Sequence, residues 1–209
     1  MARPRSFDAD SLAVAGLAVA RRDGWAAVTL RAVADELGVS PMALYRVAND
    51  ADQLRRRVAD AAAPPVPGPS TAAPPAEVLE RWAVAAHAEL GRTPGLAGYV
   101  VAHWTELPAW LDLVEALLAA AAADGRDGTS AVATANAVFA YVLARAQLRD
   151  GLAAAPARRL APLRDEPDRY PHLRRNRPEF ARARVDEHFR FGLAALLAGL
   201  DIVMVERDS

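Results

Sequence analysis

Residues 64–76 read PPVPGPSTAAPPA, with six prolines in thirteen positions. Proline has no backbone N–H and holds φ fixed, so such a run continues neither a helix nor a sheet and stands as a stiff, extended linker. It is the clearest boundary in the chain. We therefore expect three stretches: a small domain over residues 1–63, the linker over 64–76, and a larger domain over 77–209.

On both sides of the linker the pattern is helical. Ala is about a quarter of the chain, Leu and Arg are frequent, and alternating β-branched runs are almost missing. The expected fold class is all-α, with helices over 10–22, 30–37, 41–47 and from 51 to about 63, then 77–90, 95–106, 108–123, 129–152 and 180–205. The Pro- and Arg-rich stretch 153–179 reads as short helical turns without a long helix. Hydrophobic residues at 53% and charged residues at 24% are globular proportions. The longest apolar run, 191–205, is broken by Asp201 and falls short of a membrane span. MARPRSFDADS carries no apolar stretch behind its arginines and does not read as a secretory signal, so the expected compartment is the cytoplasm. Cys is absent, which excludes disulfides, thiol catalysis and thiolate metal sites. All 25 basic residues are Arg, so every anion contact falls to a guanidinium, a backbone amide or a hydroxyl.

Residues 29–49, TLRAVADELGVSPMALYRVAN, form a helix-turn-helix pattern. Thr29 is a plausible N-cap for the first helix, Gly38-Val39 turns the chain, and Ser40 caps a second helix that has Pro41 at its first position. Leu44 is expected to point inward with Val33, Leu37 and Val39. That leaves Ser40, Pro41, Met42, Ala43, Tyr45 and Arg46 outward, where hydroxyls suit phosphates and Arg46 suits phosphate or guanine. The alternative is an ordinary helical hairpin inside a core.

The residues go further than the pattern. Residues 9–54 resemble the DNA-binding domain of the TetR family of bacterial regulators. The likeness is carried by Gly24, Thr29-Leu-Arg-x-Val-Ala, Leu37-Gly-Val-Ser-Pro, Ala43-Leu-Tyr-Arg and Leu54. A second likeness lies in His188-Phe-Arg-Phe-Gly-Leu-Ala-Ala-Leu-Leu-Ala-Gly-Leu200, which resembles the last helix of the subgroup with a tetracycline-repressor-like C-terminal domain. The resemblance implies a homodimeric repressor that binds a palindromic double-stranded DNA operator and is released by a small-molecule inducer. Two positions depart from the family: Val47 stands where His is usual, and Ala51 where a phosphate-binding Lys is usual. Residues 1–63 hold nine Arg and eight acidic residues, a thin excess for neutralising phosphate. Arg3 and Arg5 on the N-terminal arm, Arg31, and the triplet Arg55-Arg56-Arg57 are the candidates to compensate, beside Thr29 at the start of the first helix.

In the last helix Gly192, Ala195 and Gly199 share one face, flanked by Phe189, Leu193, Leu196, Leu197 and Leu200. Interior glycines cost about 1 kcal/mol each relative to Ala, which a close helix–helix contact would justify. The bland reading is packing within one chain. The sharper one, which the resemblance supports, is a four-helix dimer interface, with Val138 and Val142 of the 129–152 helix contributing. Trp82, Trp104 and Trp110, with His87, Tyr99 and His103, and with Asn136, Phe139 and Tyr141 opposite, are either core aromatics or the wall of a small-molecule site. The resemblance implies an inducer pocket in that region. Val100 stands where the tetracycline repressor places its metal-bound histidine, so neither tetracycline, a metal nor a cofactor is expected. An enzyme is the competing class, but Glu-x-x-His, His-Glu-x-x-His, Gly-x-Ser-x-Gly and glycine-rich phosphate loops are all missing. A further alternative is a regulator or adaptor that has lost DNA binding.

Overall fold

The computed structural model describes residues 8–65, 74–154, 169–182 and 185–207, and among these every regular element is helical. Helix α1 spans Ala9–Asp23, α2 Leu30–Leu37, α3 Pro41–Leu44, α4 Ala51–Ala61, α5 Pro75–Arg92, α6 Leu96–His103, α7 Pro108–Ala123 and α8 Gly128–Ala154. We number the last two α9, Pro171–Arg182, and α10, Val185–Arg207. Single 3-10 turns lie at Trp25–Ala27 and Trp104–Glu106.

Local chemistry sets several boundaries. The Asp8 carboxylate accepts from the Ser11 N–H at 2.9 Å and caps α1; the two Ser11 donors, hydroxyl and amide, hold that carboxyl below its usual range. Asp50 caps α4 by accepting from the Gln53 N–H, and the Gln53 side chain accepts in return from the Asn49 N–H, both at 2.7 Å. Pro108 opens α7 where a missing N–H costs nothing.

Helices α1, α2, α3 and α4 close on a core of Leu12, Val19, Val33, Ala34, Leu44, Leu54 and Val58, each fully buried. Gly16 is where α1 meets α4 most closely: a Cβ there would run into the Cγ2 of Val58. This four-helix head is joined to the helices beyond the linker by packing. Helix α4 packs on α6 and α7, and α5 packs on α7. The Trp25 N–H donates to the Pro94 carbonyl at 2.9 Å in the α5–α6 turn. There Gly95, at φ +90°, brings the backbone so near that an added Cβ would lie 3.1 Å from the Trp25 Cβ. Arg21 of α1 pairs with Glu89 of α5 at 2.6 Å. The proline-rich run thus separates α4 from α5 along the chain, while packing gathers them into one compact unit that ends at Ala146; a second begins at Gln147.

Two expectations change. Residues 153–179 hold more helix than their Pro and Arg content suggested: α9 runs twelve residues, because Pro171 sits at its first position and Pro178 is accommodated within it. The segment Gly128–Ala153 is long and apolar enough, by length and composition, to cross a membrane, although no unbroken apolar run of that length exists. Within the protein 44% of that window is buried, and Ala135, Val138, Val142 and Ala146 of this helix are core side chains.

Candidate nucleic-acid interface and small-molecule site

The turn between α2 and α3 has the geometry that a helix-turn-helix needs. The Thr29 hydroxyl accepts from the Ala32 N–H at 3.2 Å and caps α2. Gly38, at φ +67°, ends α2 in the left-handed region, and the Val39 N–H returns to the Ala34 carbonyl at 3.0 Å. Pro41 then starts α3. With Leu44 wholly buried, the opposite side of the segment faces outward: Met42 is 74% and Tyr45 47% exposed, and Ser40, Pro41 and Arg46 are exposed as well. Ala43 is half-buried, while Thr29 and Arg31 flank the start of α2, Thr29 and Arg31 both exposed.

Several details differ from the expectation. The α-helix ends at Leu44, and Tyr45–Val47 continues as a turn, with the Val47 and Ala48 amides both donating to the Leu44 carbonyl at 2.8 Å. Ser40 holds the N-cap position without a side-chain capping bond. Leu37 and Val39 are half-buried, not fully inside. The arginine triplet is divided, since Arg56 pairs with Glu106 at 3.2 Å. Arg22 is held by Glu36 at 2.8 Å. Arg3 and Arg5 lie outside the described residues.

The aromatic candidates separate into two groups. Phe139 of α8 is the hub of the first: Trp82 stacks on it at 6.1 Å, and Trp104 and Trp110 meet it edge-on at 5.6 and 6.3 Å. Such pairs add about 0.5–1.5 kcal/mol each beyond their burial. Trp82, Trp110 and Phe139 are buried, and Trp104 is half-buried. The second group is a row, with Trp25 against Tyr99 at 4.9 Å and Tyr99 against His103 at 4.4 Å. His103 also lies 3.5 Å from Glu106. Burial pushes the Tyr99 phenol above its ordinary value. Tyr99 and His103 therefore belong to the joint between the head and α6. Trp25, which is not among the residues expected from sequence, completes that joint; its place after the helix-ending Gly24 gives no sign of this. His87 is buried on α5, and Asn136 is exposed on α8. Among the described residues, no group of three or more His, Asp or Glu is placed to hold a metal ion.

Trp110 joins the first cluster to the head. Its indole N–H donates to the Ala59 carbonyl of α4 at 2.8 Å, and the Ala109 N–H beside it donates to the Asp60 carboxylate at 2.7 Å. Each helix thereby satisfies an end of the other.

The residues expected at a dimer face differ in their burial. Val138 and Val142 are fully buried within a single chain, as are Phe189 and Leu193 to within 2% exposure, so these four are core side chains and offer no surface to a second copy. Ala195 is exposed, and Gly192, Leu196 and Gly199 are half-buried or exposed only in part. The side chain of Leu200 lies outside the described residues. Phe191, which is outside the expected strip, is 79% exposed and shares a stripe with Ala195 and Gly199 at four-residue spacing. Leu148 and Leu152 are a second exposed apolar pair on α8.

Comparison with known proteins gives this arrangement its place. No curated protein matches the chain by sequence. Solved structures of the same fold are numerous. A possible TetR family transcriptional regulator from Streptomyces coelicolor A3(2) superposes with a TM-score of 0.78 at 22% identity, covering 94% of this chain and all of that one. ActR from Streptomyces coelicolor, solved with actinorhodin, gives a TM-score of 0.76 at 20% identity over 94% and 96% of the two chains. TetR-Q116A from Acinetobacter baumannii AYE, solved with minocycline, gives 0.70 at 21% identity over 95% and 98%. The family model described as the tetracyclin repressor-like C-terminal domain matches residues 73–204. That match covers well over half of the sequence, and the chain belongs to the TetR family of transcriptional regulators.

Proposed function

We propose that the protein is a ligand-responsive, cytoplasmic, homodimeric repressor. In this reading residues 1–63 bind a palindromic DNA operator, and residues 77–209 bind a mostly apolar small molecule and dimerise. The observation that carries it is the outward face of residues 40–46, Met42, Tyr45 and Arg46 exposed above a buried Leu44, on a head whose α4 is hydrogen-bonded to the aromatic cluster through Trp110. Residues on such a face reach base edges and phosphates when the segment enters a major groove. Two copies must present it about 34–36 Å apart to meet successive grooves. A ligand changes DNA affinity only if it favours one spacing over another. A ligand seated among Trp82, Trp104, Trp110 and Phe139 bears on α7, and α7 bears on α4. Structures of like fold solved with actinorhodin and with minocycline support a small-molecule site in this domain.

Val47 and Ala51, together with arginines already paired to carboxylates, favour the competing reading of a regulator without operator binding. A gel shift against the DNA upstream of the protein's own gene decides. A retarded complex that dissociates with hydrophobic compounds that also quench tryptophan fluorescence supports the repressor. Binding no stronger than to unrelated DNA at moderate salt supports the alternative.

A further inference from the structure

We propose that the indole N–H of Trp82 is a hydrogen-bond donor to the ligand, which is then a flat ring system carrying a neutral acceptor such as an aryl ketone or quinone carbonyl. This rests on the reading of the Phe139 cluster as the ligand site and adds the polar contact that selects among apolar molecules.

Trp82 is 1% exposed, and its Nε1 is buried with no hydrogen-bond partner. The cluster holds its own comparison. Trp110 is equally buried and meets the same Phe139, yet its N–H has an acceptor, the Ala59 carbonyl. A buried N–H left without an acceptor is costly and uncommon, so an orphaned donor in an aromatic cluster calls for a specific partner. Phe139 stacks on Trp82 with its plane tilted by 23°, while Trp104 and Trp110 stand nearly edge-on. A guest that packs against ring faces and edges gains most when it is itself flat, and an indole N–H lies in the plane of its ring, so the acceptor must lie at the guest's rim. The neighbours of Trp82 along α5, Leu79, Ala83 and Ala86, are apolar and buried. An ionic acceptor would lose its hydration among them, whereas a carbonyl loses little beyond what the indole restores.

Fluorenone and fluorene form the test pair, because they share a flat tricyclic frame and differ in one carbonyl against one methylene. The chain has neither Cys nor Lys, so thiol and side-chain amine adducts do not confuse the result. Fluorene is the more hydrophobic, and contact area alone would favour it. With the intact protein, titration followed by tryptophan fluorescence and calorimetry should give fluorenone a Kd about tenfold lower than fluorene. In Trp82→Phe, which keeps a ring and removes the donor, the two should bind within about twofold of each other. In the unmutated protein, one indole N–H proton resonance should move downfield with fluorenone and stay in place with fluorene, a readout that does not depend on the variant folding. Equal affinities in the unmutated protein, or a fluorenone preference that survives in Trp82→Phe, overturn the donor assignment. If both compounds bind alike and both release operator DNA, the cluster remains a ligand site and only the assignment falls. If neither binds while DNA binding is intact, the assignment falls together with the site.

Discussion

The indole N–H of Trp110 donates to the carbonyl of Ala59 across 2.8 Å, tying the C-terminal turn of α4 to the first turn of α7. The tie is a structural bond, and on the proposed reading the ligand response has to cross it. Trp110→Phe keeps a ring against Phe139 and removes the donor. We expect a loss of about 1–2 kcal/mol in urea unfolding, together with a ligand response that is blunted: fluorescence quenching persists while more ligand is needed to release DNA. Full coupling in a variant of lowered stability would leave Trp110 as a core residue only.

Arg46 tests the DNA face. Arg46→Ala should leave the helical signal and thermal midpoint unchanged, because the residue is exposed. If it neutralises a phosphate, log K against log salt should flatten by about one unit. Tyr45→Phe, which removes one hydroxyl, should weaken binding less.

Gly199 tests the dimer. A Cβ added there meets nothing within 4 Å in the single chain, so Gly199→Arg is tolerated by one chain alone. Sedimentation at micromolar concentration should show a monomer with unchanged circular dichroism. A stable dimer in that variant places the interface elsewhere.

Gly16 and Val58 make a compensating pair. Gly16→Ala drives a methyl into the Cγ2 of Val58, an overpacking worth about 1–3 kcal/mol. Val58→Ala alone opens space at the same contact. The double variant should be more stable than the sum of the two losses implies, and urea titration of all four proteins measures the coupling.

Tyr99 gives the pH dependence. Burial raises its folded pKa above that of the unfolded chain, since the phenolate is the form that loses hydration. Its contribution to stability is therefore complete below the ordinary tyrosine value of about 10 and is lost as pH rises through the folded pKa. Urea midpoints above that pH should fall further for the native chain than for Tyr99→Phe. Tyr141, shifted the same way by burial, adds a slope of the same sign.

The legible parts of this chain are those written in local chemistry. Thr29, Gly38 and Pro41 each act at the position their backbone preferences dictate, and α7 begins at Pro108 and ends before Asp124-Gly125, as the sequence pattern predicts. The shared cluster of Trp82, Trp104, Trp110 and Phe139 is legible because large rings in an Ala- and Leu-rich chain have few other places to pack. The illegible parts depend on partners distant in sequence. Nothing near Arg56 announces Glu106, and nothing near Trp25 announces Pro94. Val138 and Val142 fit an interface stripe as well as a core stripe, since helical spacing says which residues share a face but not what covers it. Helix α9 is hidden because proline counts against a helix in composition, although at a first position it does not.

The seat of Trp25 against Pro94 and Gly95 bears on how such a protein can be re-engineered. A head grafted onto another regulator's body would carry Trp25 but leave its docking turn behind, exposing an indole and an unmet amide. Any substitution of Gly95 would push the two apart by side-chain bulk at a backbone angle that L-residues resist. Chimeras that exchange DNA specificity should therefore be cut so that residues 94–95 travel with the head or are matched in the recipient. On the reading proposed above, DNA specificity and ligand sensing would be inherited together, through the contact of Trp25 with Pro94 and Gly95.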